Sequence, residues 1–246
     1  MQKKALIYAD KGTAPHSVNL TIKALNDIGI AANPILAQDV IEKKWEKDTA
    51  LFIMPGGRDV FFHTFLSGPG NSKIKNFVHN GGSYLGLCAG AYYACDNIEF
   101  EKNTPLEIIG KRELGFFPNK AIGPALGIGQ FQYSSEIGAQ AALINYSSSN
   151  INTSAYIYYN GGCTFENTHT APSAKIIAHY HHKKKHPAIL QINVGKGRAI
   201  LSSVHIEYSH THFDPSNIYL KNIIPFFKKT DKEREKIFSD IISNLL

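Results

Sequence analysis

The sequence predicts an open α/β fold: a parallel sheet with helices on both faces, followed by a β-rich hairpin region in the second half. Three observations carry this. Short apolar runs alternate with amphipathic segments over the first hundred residues, the pattern that builds βαβ units and a parallel sheet. After Asn97 the chain reads instead as strands separated by Gly, Pro, Ser and Asn clusters. The 246 residues, 43% of them hydrophobic, suffice for one large core, and no stretch reads as a linker, so a single domain over 1–246 is expected.

Each element follows in order. Residues 5–9 form a short apolar strand, and Ser17 is placed to cap a helix whose apolar face holds Val18, Ile22, Leu25 and Ile28, ended by Gly29. A strand at 33–36, a short helix through 40–45 and a strand at 50–54 repeat the alternation. A helix over 74–79 stops at Gly81-Gly82, and a buried strand at 84–87 turns directly into a small-residue helix over 89–94. Further strands are expected at 114–117, 131–133, 141–146 and 155–159. Hairpin strands at 176–180 and 188–194 flank a His/Lys turn, and Gly195-Lys196-Gly197-Arg198 leads into a strand at 199–204. In the last stretch, 229–246, Ile237, Phe238, Ile241, Ile242 and Leu245 fall at helical spacing, predicting a docked amphipathic helix.

Composition excludes several classes. No window approaches the roughly 20 apolar residues of a membrane helix, and the apolar run after Met1-Gln2-Lys3-Lys4 is too short for a signal-peptide core. Cys88, Cys95 and Cys163 are odd in number and too few for a disulfide framework, so a reducing, cytoplasmic setting is expected, with no membrane partner. Residues 167–206 hold six basic residues and no acidic one, equal to the whole formal charge of +6. That density suits a solvated hairpin turn better than a nucleic-acid surface, which interleaves more charge with stacking aromatics.

The central motif is Gly86-Leu87-Cys88-Ala89-Gly90, placed between a buried strand and a helix. A nucleophile elbow requires this arrangement: the reactive residue occupies a strained turn, and a side chain at either glycine would strike neighbouring backbone. A helix N-terminus favours thiolate over thiol, and the Ala89 N–H is placed to hold an oxyanion. With Gly at 20 positions, three cysteines produce this pattern by chance roughly 2% of the time. The alternative is a buried structural cysteine in a Gly-rich turn. His205-Ile206-Glu207 follows a late strand, and residues two apart in extended chain share a face, so Glu207 can orient His205 as a base for the thiol. Alone the spacing is weak, since about half an H-x-E is expected by chance. Met54-Pro55-Gly56-Gly57-Arg58-Asp59 ends the third strand, where open sheets bind ligands, and Gly56 and Gly57 are candidates for the second half of an oxyanion hole.

Other motifs point nowhere specific. Ser67-Gly-Pro-Gly-Asn-Ser-Lys73 lacks the spacing of a phosphate loop. His205, His210 and His212 match no standard zinc spacing, so no metal and no cofactor is expected. Cys95 reads as core.

Taken together, Pro55-Gly56-Gly57, Gly86-Leu-Cys-Ala-Gly90 and His205-Ile-Glu207, in that order, resemble the class I glutamine amidotransferase-like superfamily. The blocks 54–59 and 81–94, with Tyr158-Tyr-Asn-Gly-Gly162 and Arg234-Glu-Lys-Ile-Phe238, are similar to the N-terminal domain of eukaryotic-type biotin protein ligase, over essentially the whole chain. The resemblance implies a flavodoxin-like fold, a Cys88-His205-Glu207 triad, and an oxyanion hole from the Gly56-Gly57 turn and Ala89. It implies acyl transfer, or hydrolysis of an amide-type bond, through a thioester, on a small-molecule or peptide-amide substrate. The competing reading is a non-catalytic binding or regulatory module that keeps the fold, with a biotin ligase or another protein as partner. Two departures matter. Amidotransferases of this class carry Gln four residues after the nucleophile, where this chain has Tyr92, so a smaller, more aromatic pocket and no useful glutaminase rate are expected. Of the tyrosines at 84, 92, 93, 158 and 159, only Tyr92 is expected near Cys88. Gly195-Lys-Gly-Arg198 echoes a biotinyl-adenylate loop but reads as a strand turn, so the chain is not itself expected to ligate biotin.

Overall fold

Strands apolar on both faces must be covered on both, and four such strands form the centre of the main sheet. The computed structural model describes residues 4–181 and 186–246. The basic turn at 183–185 lies outside the described residues. The first half contains β1 (Lys4–Tyr8), α1 (Pro15–Asp27), β2 (Ala32–Ile35), α2 (Ala37–Glu42), β3 (Thr49–Met54), α3 (Asp59–Leu66), α4 (Pro69–His79), β4 (Ser83–Leu87) and α5 (Ala89–Tyr93). The second half adds β5 (Cys95–Phe100), β6 (Ile108–Lys111), β7 (Phe117–Gly123), β8 (Gln140–Ser147), β9 (Asn152–Tyr159), β10 (Thr164–Phe165), β11 (Ala174–Tyr180), β12 (Pro187–Val194), β13 (Gly197–Ser202), α6 (Ile224–Lys229) and α7 (Asp231–Leu245).

A nine-stranded sheet runs β2-β1-β3-β4-β13-β12-β11-β8-β9. From β2 to β13 its pairs are parallel, and from β13 onward antiparallel. The expected α/β class is therefore present, and the late hairpins extend the main sheet. A second sheet, β10-β7-β5-β6, packs beside it. One face of the main sheet carries α1 and α7 through Val18, Leu25, Ile237, Phe238, Ile241, Ile242 and Leu245, all buried. The other face carries α2 to α5 through Val40, Phe62, Leu66, Ile74, Phe77 and Val78. No helix among the described residues is long and apolar enough to cross a membrane.

Several local expectations are corrected. Helix α1 starts at Pro15, whose fixed φ and missing N–H suit the first helical position, so Ser17 is not its cap but lies fully buried inside it. Helix α3 was not legible from the sequence, and α4 begins at Pro69 rather than Ile74. The Ser67 to Lys73 segment is the start of α4, and its donors are taken by an internal anion: Ser67 Oγ, Gly68 N–H and Asn71 Nδ2 each donate to the Glu113 carboxylate at 2.8 Å. The strand expected at 114–117 begins only at Phe117, and 131–133 is irregular, its side chains turned into the pocket described next. Helix α6 was also missed.

Candidate functional site

In open parallel sheets, ligands bind beyond the carboxyl ends of the strands, near a point where strand order reverses. Here β1 lies between β2 and β3, and the segments leaving β1, β3, β4 and β13 meet around a pocket of about 540 Å³. It is lined by Gly56, Gly57, Cys88, Ala89, Tyr92 and His205, so every sequence-predicted site residue except Glu207 faces it directly. Glu207 stands behind His205.

Cys88 occupies the turn between β4 and α5 with φ 49° and ψ −105°, a left-handed conformation rare for a residue with a side chain. The flanking glycines are obligatory. A Cβ on Gly86 would lie 2.4 Å from the Gly90 carbonyl oxygen, and one on Gly90 would lie 2.0 Å from that of Met54 on β3. The turn therefore presses β4, α5 and β3 to backbone contact. The Cys88 N–H is bonded to Ser202 O at 2.8 Å, fixing the elbow to β13, and Cys88 is 8% exposed at the pocket floor.

His205 comes from the segment after β13, pinned by its N–H to Tyr158 O at 3.0 Å. Its Nδ1–H donates to Glu207 Oε1 at 2.8 Å, and Tyr208 lies against the ring at 4.5 Å between centroids. Burial alone would push the imidazole pKa down. The Glu207 charge, hydrogen bonding with Cys88 and with Glu207, and the Cys88 charge reverse this, raising it to about 10. These causes favour the protonated ring; the Cys88 thiol itself donates to Asn160 O at 3.7 Å.

Ser17 is the residue that sequence reading missed. Its hydroxyl accepts the Gly56 N–H at 3.0 Å and donates to Glu207 Oε1 at 3.4 Å, bridging the β3 turn and the carboxylate 190 residues later. Only a tertiary contact reveals this, because nothing in a helix interior marks one serine from another. The Gly56 N–H is therefore occupied. No protein acceptor for the Gly57 N–H is found among the described residues, and Gly57 (φ 151°) closes against Gly12, whose carbonyl oxygen lies 2.0 Å from where a Cβ would sit. Gly57 and Ala89 line the pocket beside Cys88.

Tyr92 forms one wall, its hydroxyl donating to Gly161 O at 2.9 Å and its ring edge-on to Phe100 at 5.8 Å. The expectation that only Tyr92 approaches Cys88 is too narrow: Tyr133, Tyr158 and Tyr208 line the same pocket, whereas Tyr84 and Tyr93 point into the core. Tyr93 bonds Asn71 and packs on Phe62, away from the pocket. Tyr158 donates to Glu136, and Arg58 lies 3.9 Å over the Tyr133 ring. His210 bonds Asp231 at 2.9 Å and His212 accepts the Ser209 N–H, so neither joins His205. Cys95 and Cys163 are fully buried, and burial pushes both thiols well up.

Comparison with known proteins gives four findings. The model of the family described as "Biotin-protein ligase, N terminal" matches residues 3–246. An uncharacterized protein of Chlamydia muridarum is 36% identical over 215 residues, covering 84% of this chain and 81% of its own. A biotin–protein ligase of Schizosaccharomyces pombe is 36% identical over 213 residues, 83% of this chain but only 33% of that longer protein. Among solved structures, a glutamine amidotransferase superposes with a TM-score of 0.59 at 18% identity, covering 88% of this chain and 97% of its own, which establishes a shared fold.

Proposed function

From the premise that this chain belongs to the family of biotin-protein ligase N-terminal domains, we propose that its pocket is a cysteine-nucleophile site for acyl transfer or hydrolysis of an amide-type bond. The observation that carries the reading is that His205, held by Glu207 at 2.8 Å, lines the same pocket as Cys88 at the elbow. An imidazolium so placed stabilises the Cys88 thiolate and has a proton to give. The thiolate attacks the substrate carbonyl carbon, the C–S bond forms, and the carbonyl electrons move to an oxyanion facing the Gly57 and Ala89 N–H groups. Collapse breaks the C–N bond as His205 protonates the leaving amine. Water, deprotonated by His205, then attacks the thioester, releasing the carboxylic acid and restoring the thiolate.

The competing reading, a binding module that keeps the fold, would be favoured by a pocket filled by Tyr92 or Tyr93 and a histidine turned from the thiol. The open pocket and the His205 contacts favour the catalytic reading. The match to one third of a longer ligase supports a biotin ligase as the partner this pocket serves.

The test uses 4-nitrophenyl acetate as an activated acyl probe, with intact mass spectrometry. Wild type should release a burst of nitrophenolate and carry an acetyl group on Cys88. Cys88→Ser should carry none, and His205→Ala should acylate far more slowly while His210→Ala behaves as wild type. Equal acylation of the two histidine variants, or adducts spread over all three cysteines, would overturn the proposal.

A further inference from the structure

A pocket's charge balance constrains what enters it, because an ion held without a partner in a partly apolar cleft favours a ligand of opposite sign. The carboxylates at this pocket are all engaged. Asp59 is paired with Arg112 at 2.7 Å, Glu136 accepts from Tyr158, and Glu207 accepts from His205. Arg58 is different: among the described residues its guanidinium has no carboxylate within ion-pair distance. It is held by aromatic faces instead, 3.9 Å over Tyr133 and 5.1 Å over Phe61. Stacking of this kind fixes the plane of the guanidinium, and beyond its contact with Tyr133 leaves N–H groups on its edge for an anion.

The path from Arg58 to Cys88 is aromatic. Tyr133 packs on Phe131 at 5.0 Å, Phe131 on Phe100 at 5.2 Å, and Phe100 on Tyr92, which stands beside the thiol. A pocket of about 540 Å³ with such walls suits a flat or apolar body rather than a short polar side chain. Resting on the reading of Cys88 as acyl acceptor, we propose that the substrate is an acyl donor with an aromatic or apolar acyl body that ends in one anionic group, such as a carboxylate, bound by Arg58. Its reacting carbonyl lies at Cys88 and its anion at the rim. The residue that sets specificity is then Arg58, one position after the oxyanion glycine, so one β3 turn aligns both ends of the substrate.

The test compares two chromogenic esters, 4-nitrophenyl 4-phenylbutanoate and the same ester with a carboxylate at the far position of the ring. Wild type should prefer the carboxylate ester by about tenfold or more in kcat/KM, as a charge-assisted bidentate contact would give. Arg58→Gln should bring the ratio close to one, and Arg58→Lys should leave it in between. Arg58 is exposed, so these variants should fold. A preference kept in Arg58→Gln, or a wild-type preference for the neutral ester, overturns the proposal while leaving Cys88 chemistry in place. If turnover of both esters survives Cys88→Ser, the acyl-acceptor reading fails instead. A second readout separates the cases without turnover: the dicarboxylate product of the charged ester should protect Cys88 from iodoacetamide in wild type and not in Arg58→Gln. Equal protection in both refutes the assignment of Arg58.

Discussion

Replacing Ser17 by Ala removes one oxygen and tests whether the site is held from behind. The Gly56 N–H, bonded to Ser17 Oγ at 3.0 Å, would lose its partner in a fully buried setting. Glu207 would lose a longer contact of 3.4 Å, and its Oε2 already has no hydrogen-bond partner among the described residues. An unsatisfied buried donor costs about 1–3 kcal/mol, whereas the long contact adds little, so a loss of about 2 kcal/mol is expected. For a chain of this size that lowers Tm by roughly 4–8 °C. The functional effect should be separable. With Glu207 and the Gly56 turn both loosened, His205 is less well aligned, and alkylation of Cys88 by iodoacetamide near neutral pH should slow by about threefold to tenfold, about 1 kcal/mol of lost alignment. The control is Thr21→Val, one turn further along α1, which removes a buried hydroxyl bonded at 2.7 Å to the Ser17 carbonyl oxygen and touches nothing in the pocket. It should cost stability without slowing the labelling. If both variants melt lower and label Cys88 at the wild-type rate, Ser17 only packs a helix and the bridge to Glu207 has no role.

Other expectations follow from the same geometry. Gly86→Ala and Gly90→Ala each put a Cβ within 2.4 Å of a backbone carbonyl oxygen, so each should destabilise by about 3 kcal/mol or more, read as denaturant midpoint or failure to fold. Wild-type Tm would mean, for Gly86→Ala, that β4 and α5 are not in contact and, for Gly90→Ala, that α5 and β3 are not. The His205 pKa is raised from the ordinary 6.5 to about 10, so its contribution to stability is fully present below pH 6.5 and is lost as pH rises toward 10. Denaturant unfolding should show wild type losing on the order of a few kcal/mol across that window, and His205→Gln a flatter profile; parallel profiles would remove the imidazolium. Ammonia release from glutamine should be negligible and no greater than in Cys88→Ser, because Tyr92, tied to Gly161, narrows the place where a glutamine head group would sit. Robust release by wild type alone would show that this ring does not exclude glutamine.

The sequence by itself determined the parallel sheet and the elbow, since both depend on local rules. Period and apolar runs mark β1, β3 and β4, and two glycines around a cysteine can be read as a tight turn without knowing what they touch. It also put His205 beside Glu207, but for another reason than the one that holds: the two meet at 2.8 Å in a turn after β13, where the sequence spacing assumes extended chain. What it could not carry was any contact whose partners are far apart in the chain. Ser17 looks like a helix cap until α1 is packed on the sheet, where its hydroxyl meets Gly56 and Glu207. Likewise Phe131 and Tyr133 show the alternation of a strand, yet they lie in irregular chain and wall the pocket with Phe100. Alternation reports which side chains seek burial, not whether their backbone finds a strand to pair with. The unmatched charge of Arg58 appears only when the tertiary structure pairs its neighbour Asp59 with Arg112, 53 residues away.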